Sequence, residues 1–301
     1  MAKLTACSTL AFSLSSLEEA SEHIAGYGFR HVEIAEMLTH SKHYPIDTVD
    51  PAEVRRLLRK HSLDPIAANV SIASFHDGQS NYEPLPVERQ SAAETPEIQS
   101  AKRNRIFHRL HVEREAKAYT VRVRKLVDKA ERSGIPMVSV QAGRRGQIRN
   151  IDEELEAAAG VIDGQAEYAR VHSIRILLEM PHVWDLYYDV ERSRQMLSYL
   201  RSDNVGVILD ATHWHTSGYD LDTYVDFLGD RLWHVHLRDA AGKVSSGGNY
   251  ELEKTPGKGE VDFRLLGETL DKHGYTGHVS LETEYKNYRD PAEVDEENAY
   301  A

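Results

Sequence analysis

The chain has 301 residues, 41% hydrophobic and 28% charged, a balance that supplies a sizeable apolar core and is ordinary for a soluble globular protein. Its formal net charge of −12 argues against a nucleic-acid partner, which demands a basic face, though a small phosphorylated substrate needs only a local cluster of donors. One cysteine, Cys7, excludes an internal disulfide and fits a reducing compartment, and no export signal or membrane-length apolar run is present, so a soluble cytoplasmic protein without a membrane partner is expected.

Short apolar runs rich in β-branched residues alternate with longer amphipathic segments. Strands are predicted over Leu4–Ser8, His31–Ile34, Pro65–Val70, Met137–Gln141, Ile174–Glu179, Val205–Asp210, Leu232–Leu237 and His278–Glu282. Helices are predicted around Leu17–Gly26, Pro51–His61, Glu115–Ser133, Ile151–His172, Val190–Arg201, Leu221–Leu228 and Phe263–His273, with the first turns of an eighth from Pro291. In the second of these, Asp50 caps the start, Pro51 suits the first turn, and Val54, Leu57 and Leu58 fall at helical spacing. Strands that alternate with helices imply a parallel sheet with right-handed crossovers. No Gly-x-Gly-x-x-Gly turn follows the first strand, and ionisable residues gather at the carboxyl ends of late strands. Both features favour closure, so the expected fold is a (β/α)8 TIM barrel forming a single domain over 1–301. Residues 74–109, with Asp77-Gly78, Pro84, Pro86 and Pro96, are too long for a plain βα connection. This insert after the third strand is read either as a lid over the barrel mouth or as a solvated excursion.

The chemistry sits at four late strand ends. ILLEM carries Glu179, VILDATH carries Asp210 and His213, WHVHLRD carries His234 and His236, and VSLETEY carries Glu282. Equivalent strand ends of a barrel converge on one axis, and carboxylates left unpaired there would repel one another and resist desolvation. A divalent cation removes that conflict. Mostly oxygen ligands with one nitrogen suit Mn²⁺ or Mg²⁺, with Co²⁺ and Zn²⁺ also admitted.

These segments, with GYGFRHVEIAE at the second strand and PGKGEVDF after the seventh, resemble the xylose isomerase-like barrels of the sugar-phosphate isomerase/epimerase group, in order over nearly the whole chain. The resemblance implies one divalent metal ion held by Glu179, Asp210, His236 and Glu282, and a substrate-contacting or neighbouring histidine at His213. Alternation points His234 and His236 to the same face; the resemblance places the ligand at His236, immediately before the Leu-Arg-Asp turn, leaving His234 as a satisfied core histidine. Arg238 sits where these barrels carry a basic residue, and either holds a substrate hydroxyl or phosphate or pairs with Asp239. His182 and Trp184 follow Glu179 as candidate pocket residues, with a rim cover as the other reading of Trp184. His76 and Gln141 end the third and fourth strands as candidate substrate contacts, and one of Glu33 and Glu36 is placed to face the site. PGKGEVDF reads as structural: Gly257 and Gly259 permit a tight turn, and Asp262 caps the next helix.

Isomerising or epimerising a sugar begins with removal of a proton beside a carbonyl, with Lewis-acid help from a metal and a carboxylate base of tuned pKa. Glu179 and Glu282, on the fifth and eighth strands, are the expected catalytic carboxylates. If one strips a proton and the other returns it on the opposite face, the outcome is epimerisation; transfer on one face is isomerisation. The second reading is a metal-dependent lyase of the same barrel, either a keto-polyol dehydratase or an enzyme eliminating an aglycone from a 3-keto-glycoside. An apurinic-site endonuclease is disfavoured, because it needs extra histidine ligands and Ala240–Lys258 contains no histidine. The partner expected is a small-molecule carbohydrate; a homo-oligomer is the default, and a hetero-oligomer with a small second subunit would fit the lyase reading.

Overall fold

The structure, a computed structural model, describes residues 3–37, 41–71, 116–143, 151–182, 185–243, 250–285, 288 and 290–301. Eight parallel strands form its centre: β1 (Ala6–Ser8), β2 (His31–Met37), β4 (Asp64–Val70), β5 (Met137–Ser139), β6 (Arg175–Glu179), β7 (Val205–Asp210), β8 (Leu232–Leu237) and β11 (His278–Leu281). Each pairs with the next, and Ala6 of β1 lies opposite both His31 of β2 and Ser280 of β11, so the sheet closes. This is the (β/α)8 barrel expected from the sequence. A two-residue β3 (Ser41–Lys42) runs antiparallel to the end of β2.

The helices between the strands are α1 (Leu17–Gly26), α2 (Pro51–Lys60), α3 (116–133), α4 (Ile151–Val171), α5 (Val190–Tyr199), α6 (Ala211–Ser217), α7 (Leu221–Leu228), α8 (Phe263–Lys272) and α9 (Pro291–Tyr300). Local chemistry sets their starts. Ser16 Oγ accepts from the Glu19 amide while Glu19 Oε2 accepts from the Ser16 amide, a reciprocal cap on α1. Asp50 Oδ1 accepts from the Ala52 amide at 2.9 Å with Pro51 in the first turn of α2. Among the described residues no helix is long and apolar enough to cross a membrane.

Two apolar groups divide the core. The larger joins outward-facing strand residues such as Ile34, Ile176, Leu178, Val207, Leu209, Val235 and Val279 to the buried stripes of the helices. The smaller, Ala6, Ile66, Ala67, Met137, Leu177 and Ile208, with Trp233 packed against it, comes from the alternate pleat positions and fills the barrel floor. Gly206 is required here, because a Cβ at that position would lie 2.1 Å from the Trp233 ring. Above this layer the same inward-facing positions turn polar: Leu177 is followed by Glu179, Ile208 by Asp210, His234 by His236, and Ser280 by Glu282. The pleat therefore delivers the ionisable set to the carboxyl mouth.

The expected β1 and β5 extend past the observed strands, which stop at three residues each. Elements that were not expected are two 3₁₀ turns, over Thr9–Phe12 and Gly229–Arg231, the short β3, helix α6, and an antiparallel hairpin of β9 (Asp239–Gly242) with β10 (Tyr250–Lys254). The 74–109 insert, His76 and Trp184 lie outside the described residues.

Candidate metal centre

Glu179, Asp210, His236 and Glu282 each offer a ligand atom, and those atoms all lie within 4.8 Å of one another. They come from the ends of β6, β7, β8 and β11, held level by register: Asp210 is opposite His236, which is opposite Ser280. The Glu282 amide continues that ladder to the Leu237 carbonyl at 3.0 Å.

Three of the four ligand candidates are anchored from outside the cluster. Asp210 Oδ1 caps α6, accepting from the Thr212 amide at 2.6 Å, the Thr212 hydroxyl at 2.5 Å and the His213 amide at 3.0 Å. Glu282 Oε1 accepts from Asn69 Nδ2 of β4 at 2.7 Å. His236 Nε2 meets Glu33 Oε1 of β2 at 3.1 Å. Its Nδ1 points at the cluster, 3.1 Å from Glu282 Oε2 and 3.8 Å from Glu179 Oε1, yet hydrogen-bonds to neither. Glu179 Oε1 is likewise enclosed without a hydrogen-bond partner. A buried carboxylate oxygen left without a donor is costly unless something positive satisfies it. Three carboxylates and one imidazole nitrogen therefore fit a divalent cation of borderline or hard character.

Charge in the cluster follows burial and neighbours. Burial pushes the Glu179 carboxyl up to about 7, with Asp210 and Glu282 adding to it against the opposing pull of His236. Burial also disfavours charge on Asp210, but the Arg238 guanidinium, His213 and His236 outweigh it and hold the carboxyl well below the usual carboxylate range. For His236, burial opposes the proton while the Glu282 and Glu33 carboxylates favour it, and the ring is held well above the usual imidazole range. His213 goes the other way: burial brings it down to about 4 despite Asp210, with Arg238 contributing, so its ring is neutral at physiological pH.

Arg238 corrects one expectation. It does not pair with Asp239; it is 4% exposed, and its Nε donates to Asp210 Oδ2 at 2.8 Å while Nη1 donates to Glu284 Oε1 at 2.6 Å. Asp239 is taken by the PGKGEVDF loop, whose Gly257, Gly259 and Val261 amides donate to its carboxylate at 2.8–3.0 Å. A Cβ on Gly259 would fall 2.3 Å from Asp239 Oδ1, so that glycine is a packing requirement. Lys258 points elsewhere, donating to Glu297 at 2.7 Å, and Asp262 caps α8 through the Leu265 amide. The structural reading of the loop holds.

The other candidates separate. His213, on α6, lies with Nε2 3.6 Å from Glu179 Oε1 and packs on the His182 ring at 4.3 Å between centroids. Gln141 sits two residues beyond β5, half-buried, with Oε1 enclosed and lacking a hydrogen-bond partner. His234 is buried as expected but is not satisfied: both ring nitrogens lack hydrogen-bond partners, and Nε2 stands 3.6 Å from Glu33 Oε1. Glu33 faces the interior, and Glu36, on the opposite pleat face, pairs in register with Lys42.

Residues 22–300 match the family described as the xylose isomerase-like TIM barrel. The chain belongs to that family. Within it, the chain is 22% identical over 149 residues to an inosose isomerase of Bacillus subtilis, spanning 49% of this chain and 51% of that protein. It is 20% identical over 269 residues to the inosose isomerase of Bacillus velezensis (89% and 83%), and 23% identical over 154 residues to the inosose dehydratase of Lacticaseibacillus casei (48% and 50%). The chain thus spans about half the length of two of these three relatives. Solved structures superpose over nearly all of it. They include a D-allulose 3-epimerase from Methylomonas (TM-score 0.68, 17% identity, 100% and 98% coverage) and the E. coli 3-keto-D-glucoside 4-epimerase (0.68, 18%, 99% and 98%). A third is the zinc-bound IOLI protein (0.69, 16%, 99% and 96%). At these identities the structural likeness speaks for the fold.

Asn69 and Glu284 touch this barrel's cluster but carry no pattern in the sequence; the first is an amide at the end of β4 and the second one of many acidic residues. Helix α6 had a signal: Asp210 before it and Gly218, with φ of 69°, just after it.

Proposed function

We propose that the protein is a divalent-metal-dependent isomerase or epimerase of a carbohydrate ketose, with Mn²⁺ as its working ion. The observation that carries this reading is the convergence of Glu179, Asp210, His236 and Glu282 at the barrel mouth, with the Glu179 and His236 donor atoms unpaired. The inosose isomerases and sugar epimerases among its relatives support it.

A bound divalent ion supplies Lewis-acid stabilisation of negative charge developing on substrate oxygen. The chain does the rest. Glu179, 14% exposed against 2% for Glu282, is the more accessible of the two carboxylates and so the one placed to take and return a substrate proton. Glu282 is oriented by Asn69 so that one oxygen stays turned to the cluster. Standing on β6 and β11, the two approach a bound ketose from different sides, as proton removal on one face and return on the other requires. Neutral His213, packed on His182, is placed to hold a substrate hydroxyl, and Arg238 supplies a fixed positive charge beside Asp210.

A second reading, a dehydratase or β-eliminating lyase, rests on the match to an inosose dehydratase and on the paired His182 and His213 rings beside Glu179, which are placed to hydrogen-bond a departing oxygen. Both readings start from the same proton abstraction. The test is to incubate the Mn²⁺-loaded protein with inososes, 3-keto-glycosides and simple ketoses in D₂O and follow them by NMR. Deuterium at the carbon beside the carbonyl, with an isomer or epimer accumulating, supports the first reading; loss of water or of an aglycone supports the second. No exchange with any ketose refutes both.

A further inference from the structure

We propose that Glu33 is a positioning residue that selects which nitrogen of His236 is offered to the metal. The inference rests on the reading that Glu179, Asp210, His236 and Glu282 hold a divalent ion. It concerns a residue in the middle of β2, three strands around the barrel from β8, that crosses the interior beneath the cluster.

An imidazole can ligate a metal through only the nitrogen that lacks a proton, so the partner of the other nitrogen decides the geometry. In His236 the two nitrogens face opposite ways: Nδ1 toward Glu282 and Glu179, Nε2 toward Glu33 Oε1 at 3.1 Å. A carboxylate accepts and does not donate, so Glu33 keeps a proton on Nε2 and leaves Nδ1, turned to the cluster, as the nitrogen from which a metal would displace the proton. Glu33 is itself held. Ser280 Oγ, two residues before Glu282, donates to Oε2 at 3.3 Å, and the His234 ring stands edge-on to His236, 89° between planes, with Nε2 3.6 Å from Glu33 Oε1. All of these groups are completely buried, so no water competes for the carboxylate. Fixing a ligand's tautomer and raising its basicity is worth 10- to 100-fold in metal affinity, on the order seen when such partners are removed.

Glu33, His234 and His236 also stand close enough to be read as a second cation site. That would require His236 to give up both protons and bridge two ions, so the tautomer role is the one the geometry favours.

The test is titration of chelator-treated protein with Co²⁺, reading the dissociation constant, stoichiometry and visible ligand-field bands. Wild type, Glu33→Gln, Ser280→Ala, Glu282→Gln and the packing control Ile34→Val are compared. Glu33→Gln is expected to bind one ion roughly 10- to 100-fold more weakly, with displaced bands, because the amide is uncharged and can present N–H to the ring. Ser280→Ala is expected to lose roughly 2- to 10-fold, the worth of one hydrogen bond, and serves if Glu33→Gln does not fold. Ile34→Val leaves affinity and bands unchanged. Unaltered Co²⁺ affinity in a folded Glu33→Gln protein, or in Ser280→Ala if the first does not fold, overturns the proposal while leaving the metal reading intact. Two ions in wild type with one lost from Glu33→Gln overturns it in favour of a second site. No Co²⁺ bound by wild type overturns the metal reading itself.

Discussion

Replacing Glu179 with glutamine should stabilise the metal-free protein, and increasingly so as pH rises. Burial lifts the Glu179 carboxyl from its ordinary 4.5 to about 7. At about 1.4 kcal/mol for each tenfold change in a proton equilibrium, that displacement is worth about 3 kcal/mol. Because the folded value lies above the unfolded one, the folded state binds more protons than the unfolded state across that window, and stability falls as pH rises through it. The glutamine variant has no such proton and escapes the loss. For a chain of this size, with about 2.1 cal/mol/K of unfolding entropy per residue, the difference amounts to roughly 5 °C in Tm. The assay is thermal denaturation of chelator-treated wild type and Glu179→Gln from about pH 5 to about pH 8, where the gap between the curves isolates this carboxyl from other titrating groups. The curves should nearly meet at the acid end, separate in favour of the variant up to about pH 7, and keep a constant gap above it. Saturating divalent metal should reverse the order, since only wild type keeps the full ligand set. Parallel curves at every pH would refute the reasoning that Glu179 is a desolvated carboxylate awaiting a cation.

Arg238→Leu should cost the metal-free protein about 3–5 kcal/mol in chemical denaturation, because Asp210 and Glu284 lose a buried counter-charge, and added metal should recover part of it. Asn69→Ala should weaken metal binding by about 10- to 100-fold; competition with a chromophoric chelator measures it. Gly259→Ala should cost about 1–3 kcal/mol and loosen the loop over Asp239, seen as a lower Tm and faster proteolytic cleavage near Lys258. Holding the metal at 100 times its dissociation constant should add about 2.7 kcal/mol to wild-type stability, and a Tm insensitive to Mn²⁺ would contradict that.

The barrel was legible because its strands are short apolar runs and its helices carry clear starts such as Ser16–Glu19 and Asp50–Pro51. The cluster was legible for a related reason. A pleat that points Leu177 and Ile208 inward must point Glu179 and Asp210 inward too, and successive barrel strands bring those ends to one axis. What escaped were contacts set by tertiary placement. Nothing in the local pattern distinguishes Asp210 from Asp239 as the partner of Arg238; the glycine-rich loop settles it by spending its amides on Asp239. Helix α6 is rich in Thr and His, poor helix formers, and stands because Asp210 caps it. Asn69 and Glu33 act across the barrel, on Glu282 and His236, over sequence separations of 213 and 203 residues.

The most direct test of the account is the metal content of purified protein, measured by elemental analysis beside Glu282→Gln. About one divalent ion per chain is predicted for wild type, much reduced in the variant, because removing one carboxylate from a four-residue site weakens every divalent ion it accepts. Wild-type protein that holds no metal even after incubation with Mn²⁺ would contradict the central claim, and the four converging residues would then be a buried polar network without an ion.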